Sequence, residues 1–514
     1  MVMQSRILSQ LEEVCLAPDE LRHPVYGTTV EGRTVNGQQK SDGRIVHTAK
    51  SGGSRERPVL AGLPCKVISK RKHRLYAETG GTMETKLARI SQLSSEHPDM
   101  VFTSIGHLIN KELLEECHRD MDGKKAVGID GITKEEYGTK LEENLEKLVE
   151  KLKKKAYRPK SAKRVEIPKE NGKTRPLSIY CYEDKLVQEA LRRILEAVFE
   201  PHFYDEMMGF RPKRNCHMAL RKLNKMLEKE KTNWVLDADI KGFFDHLDHE
   251  WIIKFIESRI KDANIIRLVR RMLKAGIMKD FSYEETEEGS GQGSVCSPVI
   301  ANIYMHYVLV WWFKEKLQPL MKGYAGLVVY ADDFVGCFQY KSDAEMFYGH
   351  LKRRMMHFGL ELEENKTRLI EFGRFAECNR KERGDGKPET FTFLGFTHYC
   401  SHGRTGKFRV KRKTSKKKLA KKSKEINAII RDMRFLRINR IVKKLNEILV
   451  GYYHYYGITD NSQSLNAFYN VVRRRLFYWL NRRSQRRSYT KVGYKELLIQ
   501  FPLVRPRIYV SIYG

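Results

Sequence analysis

Gly326-Leu327-Val328-Val329-Tyr330-Ala331-Asp332-Asp333-Phe334-Val335-Gly336-Cys337-Phe338 reads as two short apolar runs around a pair of adjacent carboxylates. Runs of this length predict a β-hairpin with Asp332 and Asp333 at its tight turn. Neighbouring carboxylates repel each other, and a bound divalent cation is the simplest way to keep both ionised. Aspartate is also common in turns, where its side chain bonds nearby backbone. Alone, the hairpin reads either as a metal-holding turn or as an ordinary polar one.

A second stretch bears on that choice. Trp234-Val235-Leu236-Asp237-Ala238-Asp239-Ile240 alternates as a strand, with Asp237 and Asp239 on one face and Leu236, Ala238 and Ile240 on the other. Carboxylates on a central strand are costly unless solvated or metal-bound. The two stretches together supply acids from separate elements, as a two-metal phosphoryl-transfer site requires. Asp237 reads equally as a surface position at the strand entrance. Phe243 and Phe244 follow directly; both rings suit a core, and one of them suits the floor of a nucleotide pocket that excludes a 2′-hydroxyl. Lys169, Lys173 and Arg175 flank a Glu170-Asn171-Gly172 turn, a setting suited to a triphosphate.

The chain has 514 residues, 41% of them apolar, enough for two or three domains with sizeable cores. Its 96 Lys and Arg against 64 Asp and Glu give a formal charge of +32. The excess is concentrated, since residues 401–514 hold 29 Lys and Arg against 5 acids, a net of +24. A basic arm on a more balanced body is the footprint of a polyanion, nucleic acid before membrane. No apolar stretch reaches the roughly 18 residues of a spanning helix. The nearest, Val299 to Phe313, is interrupted by Asn302 and His306. Nine cysteines without a CxxC pair, and no apolar run after Met1, predict a reducing, cytoplasmic setting.

Residues 1–82, rich in Gly, Ser, Thr and Arg, read as a flexible leader of unknown role. Helical signals begin near Met83, and Leu141, Leu145, Leu148 and Leu152 mark an amphipathic helix. Extended runs at Val165–Pro168 and Arg175–Ile179 precede a long helix from about Asp184 to Phe199. Phe391 to Phe396 reads as one short strand. The pattern predicts an α+β body followed by an all-helical basic tail.

The order of these parts carries a resemblance. Ile167-Pro168-Lys169, Arg175-Pro176-Leu177, Gly209-Phe210-Arg211-Pro212, Asp237 through Asp245, Gln292-Gly293 with Ser297-Pro298 and Ala301-Asn302-Ile303-Tyr304, Tyr330-Ala331-Asp332-Asp333 and Phe393-Leu394-Gly395-Phe396 are similar to the motifs of bacterial group II intron reverse transcriptases. Leu445-Asn446-Glu447 and Gly451-Tyr452-Tyr453-His454-Tyr455-Tyr456 look like the maturase motif of that family. The resemblance implies right-hand fingers and palm over 83–400 and a helical thumb/maturase domain over 401–514, without an endonuclease domain. It implies that Asp239, Asp332 and Asp333 are catalytic and hold Mg²⁺, with the Ile240 carbonyl as a further ligand. Asp239 rather than Asp237 takes this position because Phe244 lies five residues on, at the family's sugar-discriminating aromatic. Lys169, Arg175, Phe244, Gln292 and Lys366 fall where the family contacts the dNTP, and Phe393–Phe396 looks like the primer grip.

Three departures stand out. Ser290-Gly291-Gln292-Gly293 replaces the usual Thr-Pro-Gln-Gly, Val310 stands where an acid often follows Tyr-Val-Leu, and the leader has no family counterpart. In the tail, Lys411 to Lys424 is a basic run that also suits a solvated linker. Arginines interleave with aromatics further on. Lys411, Arg412, Lys413, Arg473, Arg474, Arg475, Arg482 and Arg483 are the candidate RNA contacts. The chain thus reads as an RNA-directed DNA polymerase and maturase of a mobile intron, with an RNA template, structured intron RNA, a DNA target or primer and dNTPs as partners and no membrane. The alternatives are a domesticated reverse transcriptase in phage defence or another host role, and an RNA-binding splicing cofactor with an idle palm.

Overall fold

The computed structural model describes residues 82–168, 174–279, 282–284, 289–291, 293–403, 405–486 and 488–513. Apart from Thr82, whose hydroxyl caps the helix Met83–Glu96, the leader lies outside them. So do Lys169, Lys173 and Gln292.

Eleven strands form three sheets among the described residues. β1 (Ala162–Pro168) and β2 (Thr174–Ile179) pair antiparallel with Val165 opposite Leu177, as the extended runs predict. β3 (Trp234–Asp239) belongs to a different sheet. β4 (Ile277–Lys279) lies parallel to β1, and β5 (Ser282–Glu284) completes the order β2-β1-β4-β5. The central sheet adds β6 (Ala325–Tyr330), β7 (Asp333–Phe338) and β8 (Arg368–Glu371) to β3, in the order β6-β7-β3-β8. The third sheet is β9 (Phe391–Phe393), β10 (Phe396–His402) and β11 (Phe408–Thr414).

The central sheet is apolar on both faces because it is covered on both. Leu236, Ala238, Val329, Phe334 and Phe338 join the main core with Phe347 and Leu351 of the helix Lys341–His357. Alternate residues Val235, Val328, Val335, Cys337 and Ile370 join a second core with Leu220 and Leu223 of the helix Cys216–Glu228. The period of two thus sorts each strand between two cores. The apolar run Val299–Phe313 lies buried in the helix Ser297–Met305 and its π-helical continuation to Leu317. No helix among the described residues is long and apolar enough to cross a membrane.

Two expectations are corrected. Phe391 to Phe396 is not one strand: Leu394 and Gly395, at φ of 49° and 77°, turn the chain between β9 and β10. Gly395 is the mark of that turn in the sequence, outweighed in the strand reading by the apolar Phe393, Leu394 and Phe396 around it. The part after residue 400 is not all helical either, since β10 runs to His402 and β11 covers Phe408–Thr414. There the inward positions are Val410, Arg412 and Thr414, so the alternation is masked by a buried arginine within a basic run. Helices begin at Lys416 and run Lys416–Met433, Ile438–Tyr456, Ser462–Leu480 and Lys491–Gln500. They close over Ile430, Leu445, Leu449, Phe468, Val472 and Leu476.

Candidate functional site

β3 and β7 are antiparallel, so the last residue of β3 meets the first of β7, and Asp239 pairs directly with Asp333. Asp237 lies two residues back on the same face, opposite Val335. Ala331 and Asp332 form the two-residue turn between β6 and β7, with Ala331 at φ 58°. The structure therefore gathers Asp237, Asp239, Asp332 and Asp333 at one end of the central sheet. Their mutual influence is visible in Asp333: burial, then Asp237, Asp239 and Asp332, push its carboxyl well above the usual range. Burial also raises Asp237 to about 6, against the pull of Arg368.

The Gly209–Pro212 stretch supports the turn. Gly209 abuts it: a Cβ there would stand 2.5 Å from the Ala331 nitrogen. Asn302 Nδ2 donates to the Gly209 carbonyl at 3.0 Å, and Met208 N donates to Val329 O at 2.9 Å. Arg211 is buried and donates to Glu200 and to the carbonyls of Phe203, Tyr204 and Met207. The Gly209–Pro212 stretch is thus a buttress for the carboxylate turn. On the other side, backbone at Thr392 and Leu394 hydrogen-bonds Asp237 and Asp333. Tyr455 Oη donates to the Leu394 carbonyl at 3.1 Å, tying the helix Ile438–Tyr456 to that turn.

Phe244 is half-buried, edge-on to Phe243 and to Phe210 at centroid distances of 5.4 and 6.4 Å. Phe243 is 2% exposed and is the core ring of the pair. Phe210, 53% exposed, extends the aromatic wall and was not anticipated. Ser290 N donates to the Phe244 carbonyl at 2.8 Å, so the segment leading to Gln292 is fastened to the backbone of Phe244. Lys366 Nζ donates to Asp239, bringing this expected residue into the cluster. The backbone of Arg175 lies in β2.

The donor set is one a hard cation would find suitable, being carboxylates and a carbonyl. Ile240 bridges to Leu362 through bonds made by Lys241 N–H and the Asp239 carbonyl, which leaves the Ile240 carbonyl out of that bridge. No group of three or more His, Cys, Asp or Glu among the described residues is already drawn together at metal-binding spacing. The Lys366 ammonium instead supplies the nearest positive charge to Asp239. Four crowded acids, one of them strongly raised, remain an anionic cluster that a divalent cation would relieve.

The candidate RNA contacts fall into two groups. Lys413, Arg474, Arg475 and Arg482 are exposed, while Lys411, Arg473 and Arg483 are half-buried. Arg482 lies 4.0 Å from the centroid of Tyr478, and Lys413 5.2 Å from that of Tyr399. Arg412 is corrected: it is 0% exposed, donates to Asn224 and to the Val410 carbonyl, and stands over Tyr513. An inward β position, invisible within a basic run, turns it from solvent to packing.

Residues 167–398 match the family described as reverse transcriptase (RNA-dependent DNA polymerase), and residues 417–497 match the group II intron, maturase-specific domain. The chain thus carries a reverse transcriptase match followed by a group II intron maturase-specific match. It is 38% identical over 222 residues to the group II intron-encoded protein LtrA of Lactococcus lactis subsp. cremoris, covering 43% of this chain and 37% of that protein. It is 34% identical over 187 residues to protein YkfC of Escherichia coli (strain K12), covering 36% of this chain and 49% of that protein. Nuclear intron maturase 1, mitochondrial, of Arabidopsis thaliana is 30% identical over 112 residues, 22% of this chain and 16% of that protein. The matched part therefore spans about half or less of these relatives' own lengths.

Proposed function

We propose that this chain is an RNA-directed DNA polymerase of a group II intron that also assists splicing and mobility of the intron RNA. The observation that carries the reading is the cross-strand pair Asp239–Asp333 beside Asp332, at the end of a sheet within the reverse transcriptase match. In this reading the central sheet is the palm, and the β1–β2 hairpin with the preceding helices forms the fingers. The helices from Lys416 onward are the thumb/maturase part, with the division falling after β11 rather than at residue 400.

Asp239, Asp332, Asp333 and the Ile240 carbonyl would hold the divalent cation, which we take to be Mg²⁺. When bound it supplies charge neutralisation at the transferring phosphoryl group and a more acidic 3′-hydroxyl. The chain's own part is positioning, which dominates phosphoryl transfer. Phe244 walls the sugar against a 2′-hydroxyl, and Lys366 offers an ammonium to the phosphates once Asp239 is otherwise engaged. Lys169, Arg175 and Gln292 are assigned to the incoming dNTP on the same reading. The exposed tail arginines grip RNA through phosphate and stacking contacts.

The test is primer extension on poly(rA) with dTTP and Mg²⁺, together with binding to the RNA that flanks the gene. The account expects extension, and RNA affinity that falls steeply with salt. Specific RNA binding with no extension on any template would favour the cofactor-only reading.

A further inference from the structure

A cavity of about 310 Å³ lies on the body between three elements: the loop around Gly106–Asn110, the end of the helix Leu141–Lys153, and the helix Ala263–Leu273. Its wall is apolar, with Ile109, Leu152, Ile265 and Leu268. Its rim is cationic, with Lys153, Lys155, Arg267 and Arg271. None of the described lining residues is acidic. Asp262, next in sequence to the helix that supplies Asn264 and Ile265, is 5% exposed, and its carboxylate accepts from the backbone N–H groups of Ile105, Gly106, Asn264 and Ile265.

The four cations differ in how they are held. Arg271 is fixed, donating through Nη1 to the carbonyls of Lys155 at 2.8 Å and Tyr157 at 2.5 Å. Lys153, Lys155 and Arg267 make no ion pair among the described residues. Lysines elsewhere on the helix Leu141–Lys153 do: Lys147 pairs with Glu143 and Lys151 with Glu183. Lys155 is also in the left-handed region, at φ 61°, just past the helix end. Glycine is the usual occupant of that position, and a lysine there bears a conformational cost.

We infer that this cavity is a nucleotide-binding site separate from the carboxylate cluster. A flat base rests on the apolar wall, and a phosphate is held by Lys153, Lys155, Arg267 and the remaining donors of Arg271. The volume sits at the lower end of small-ligand sites, about 300–1,000 Å³, and so suits one nucleotide. Its source is either a free nucleotide or one unpaired nucleotide of a bound RNA. An inorganic anion alone would leave the apolar wall unused.

The test uses the full chain in EDTA, which silences metal-dependent binding of nucleotide at the polymerase site. In one arm AMP is titrated by calorimetry; in the other, an RNA carrying a single unpaired 4-thiouridine is crosslinked and the crosslinked peptide mapped. The variant is Lys155→Gly, which removes the charge while suiting the left-handed backbone. Arg267→Glu is the second variant, and Lys229→Ala, an exposed lysine outside the cavity, is the control. The inference expects AMP binding, or a crosslink within residues 106–110, 152–157 or 264–271. Either signal should fall about tenfold in both variants and persist in the control. AMP binding assigns the site to free nucleotide, and a crosslink alone assigns it to RNA. Neither signal, or signals equal in all variants, overturns the inference whether or not the chain extends primers.

Discussion

Replacing Gly291 with alanine tests how the segment leading to Gln292 is held against the site. A Cβ at residue 291 would fall inside the van der Waals envelope of the Tyr180 hydroxyl and 3.2 Å from Ser178 Oγ. Tyr180 is 6% exposed and cannot swing away, and Ser294 N and Ser297 Oγ both donate to the Gly291 carbonyl, at 3.0 and 3.2 Å. Carbon contacts are comfortable only at about 3.5–4.0 Å, so the segment must shift by about 1 Å. Ser290 N is bonded to the Phe244 carbonyl, so the shift reaches the wall of the proposed sugar pocket. A misplacement of about 1 Å costs on the order of 10²-fold in rate. Gly291→Ala should therefore lower kcat/KM for single-dNTP addition by up to that factor, with RNA affinity unchanged. Tyr180→Phe withdraws the obstructing oxygen, and the double variant should recover most of the loss. Wild-type kinetics in Gly291→Ala, or no recovery in the double variant, would refute the reasoning.

Phe244→Ala opens the proposed 2′-hydroxyl exclusion. Rejection of an added hydroxyl by an apolar wall is worth about 10²-fold, so ribonucleotide use relative to dNTP should rise toward that factor in competition assays. Asn224→Leu removes a side-chain acceptor of the fully buried Arg412. The loss should be about 1.5–3 kcal/mol in denaturant unfolding, with RNA affinity unaffected, whereas an RNA-contact role for Arg412 would show the reverse. Asp184 is raised by burial from an ordinary 3.8 to about 6, although Tyr157 Oη and Lys160 N donate to it. A folded pKa above the unfolded one means that the ionised form opposes folding. The destabilisation, about 3 kcal/mol, is full above pH 6 and is lost as pH falls toward 3.8. Stability measured from about pH 8 to pH 4 should rise more steeply on acidification in the wild type than in Asp184→Asn; equal slopes would refute the assignment.

Three strands of the central sheet, β3, β6 and β7, were legible because they are apolar runs of β length, and the alternation in 234–240 put Asp237 and Asp239 on one face; the edge strand β8, Arg368–Glu371, is short and half charged and went unread. The direct pairing of Asp239 with Asp333 follows from strand order, which no single stretch contains. Arg412 was misread because a charged residue in a basic run looks solvated, while its burial depends on Asn224, 188 positions away. Gly209 and Asn302 were visible as parts of motifs. Their work as a buttress is a matter of close approach, and spacing alone does not reveal it. The turn at Leu394–Gly395 did leave a mark, Gly395 itself, but the aromatic and aliphatic residues flanking it read as strand.

The central claim is that Asp239, Asp332 and Asp333 make this chain an RNA-templated DNA polymerase. It is tested most directly by comparing wild type and Asp332→Ala in Mg²⁺-dependent extension of a DNA primer on an RNA template, with RNA affinity measured on the same preparations. The account predicts extension by the wild type, loss of at least about 10³-fold in the variant, and RNA affinity within about twofold. Extension by Asp332→Ala at the wild-type rate would contradict it.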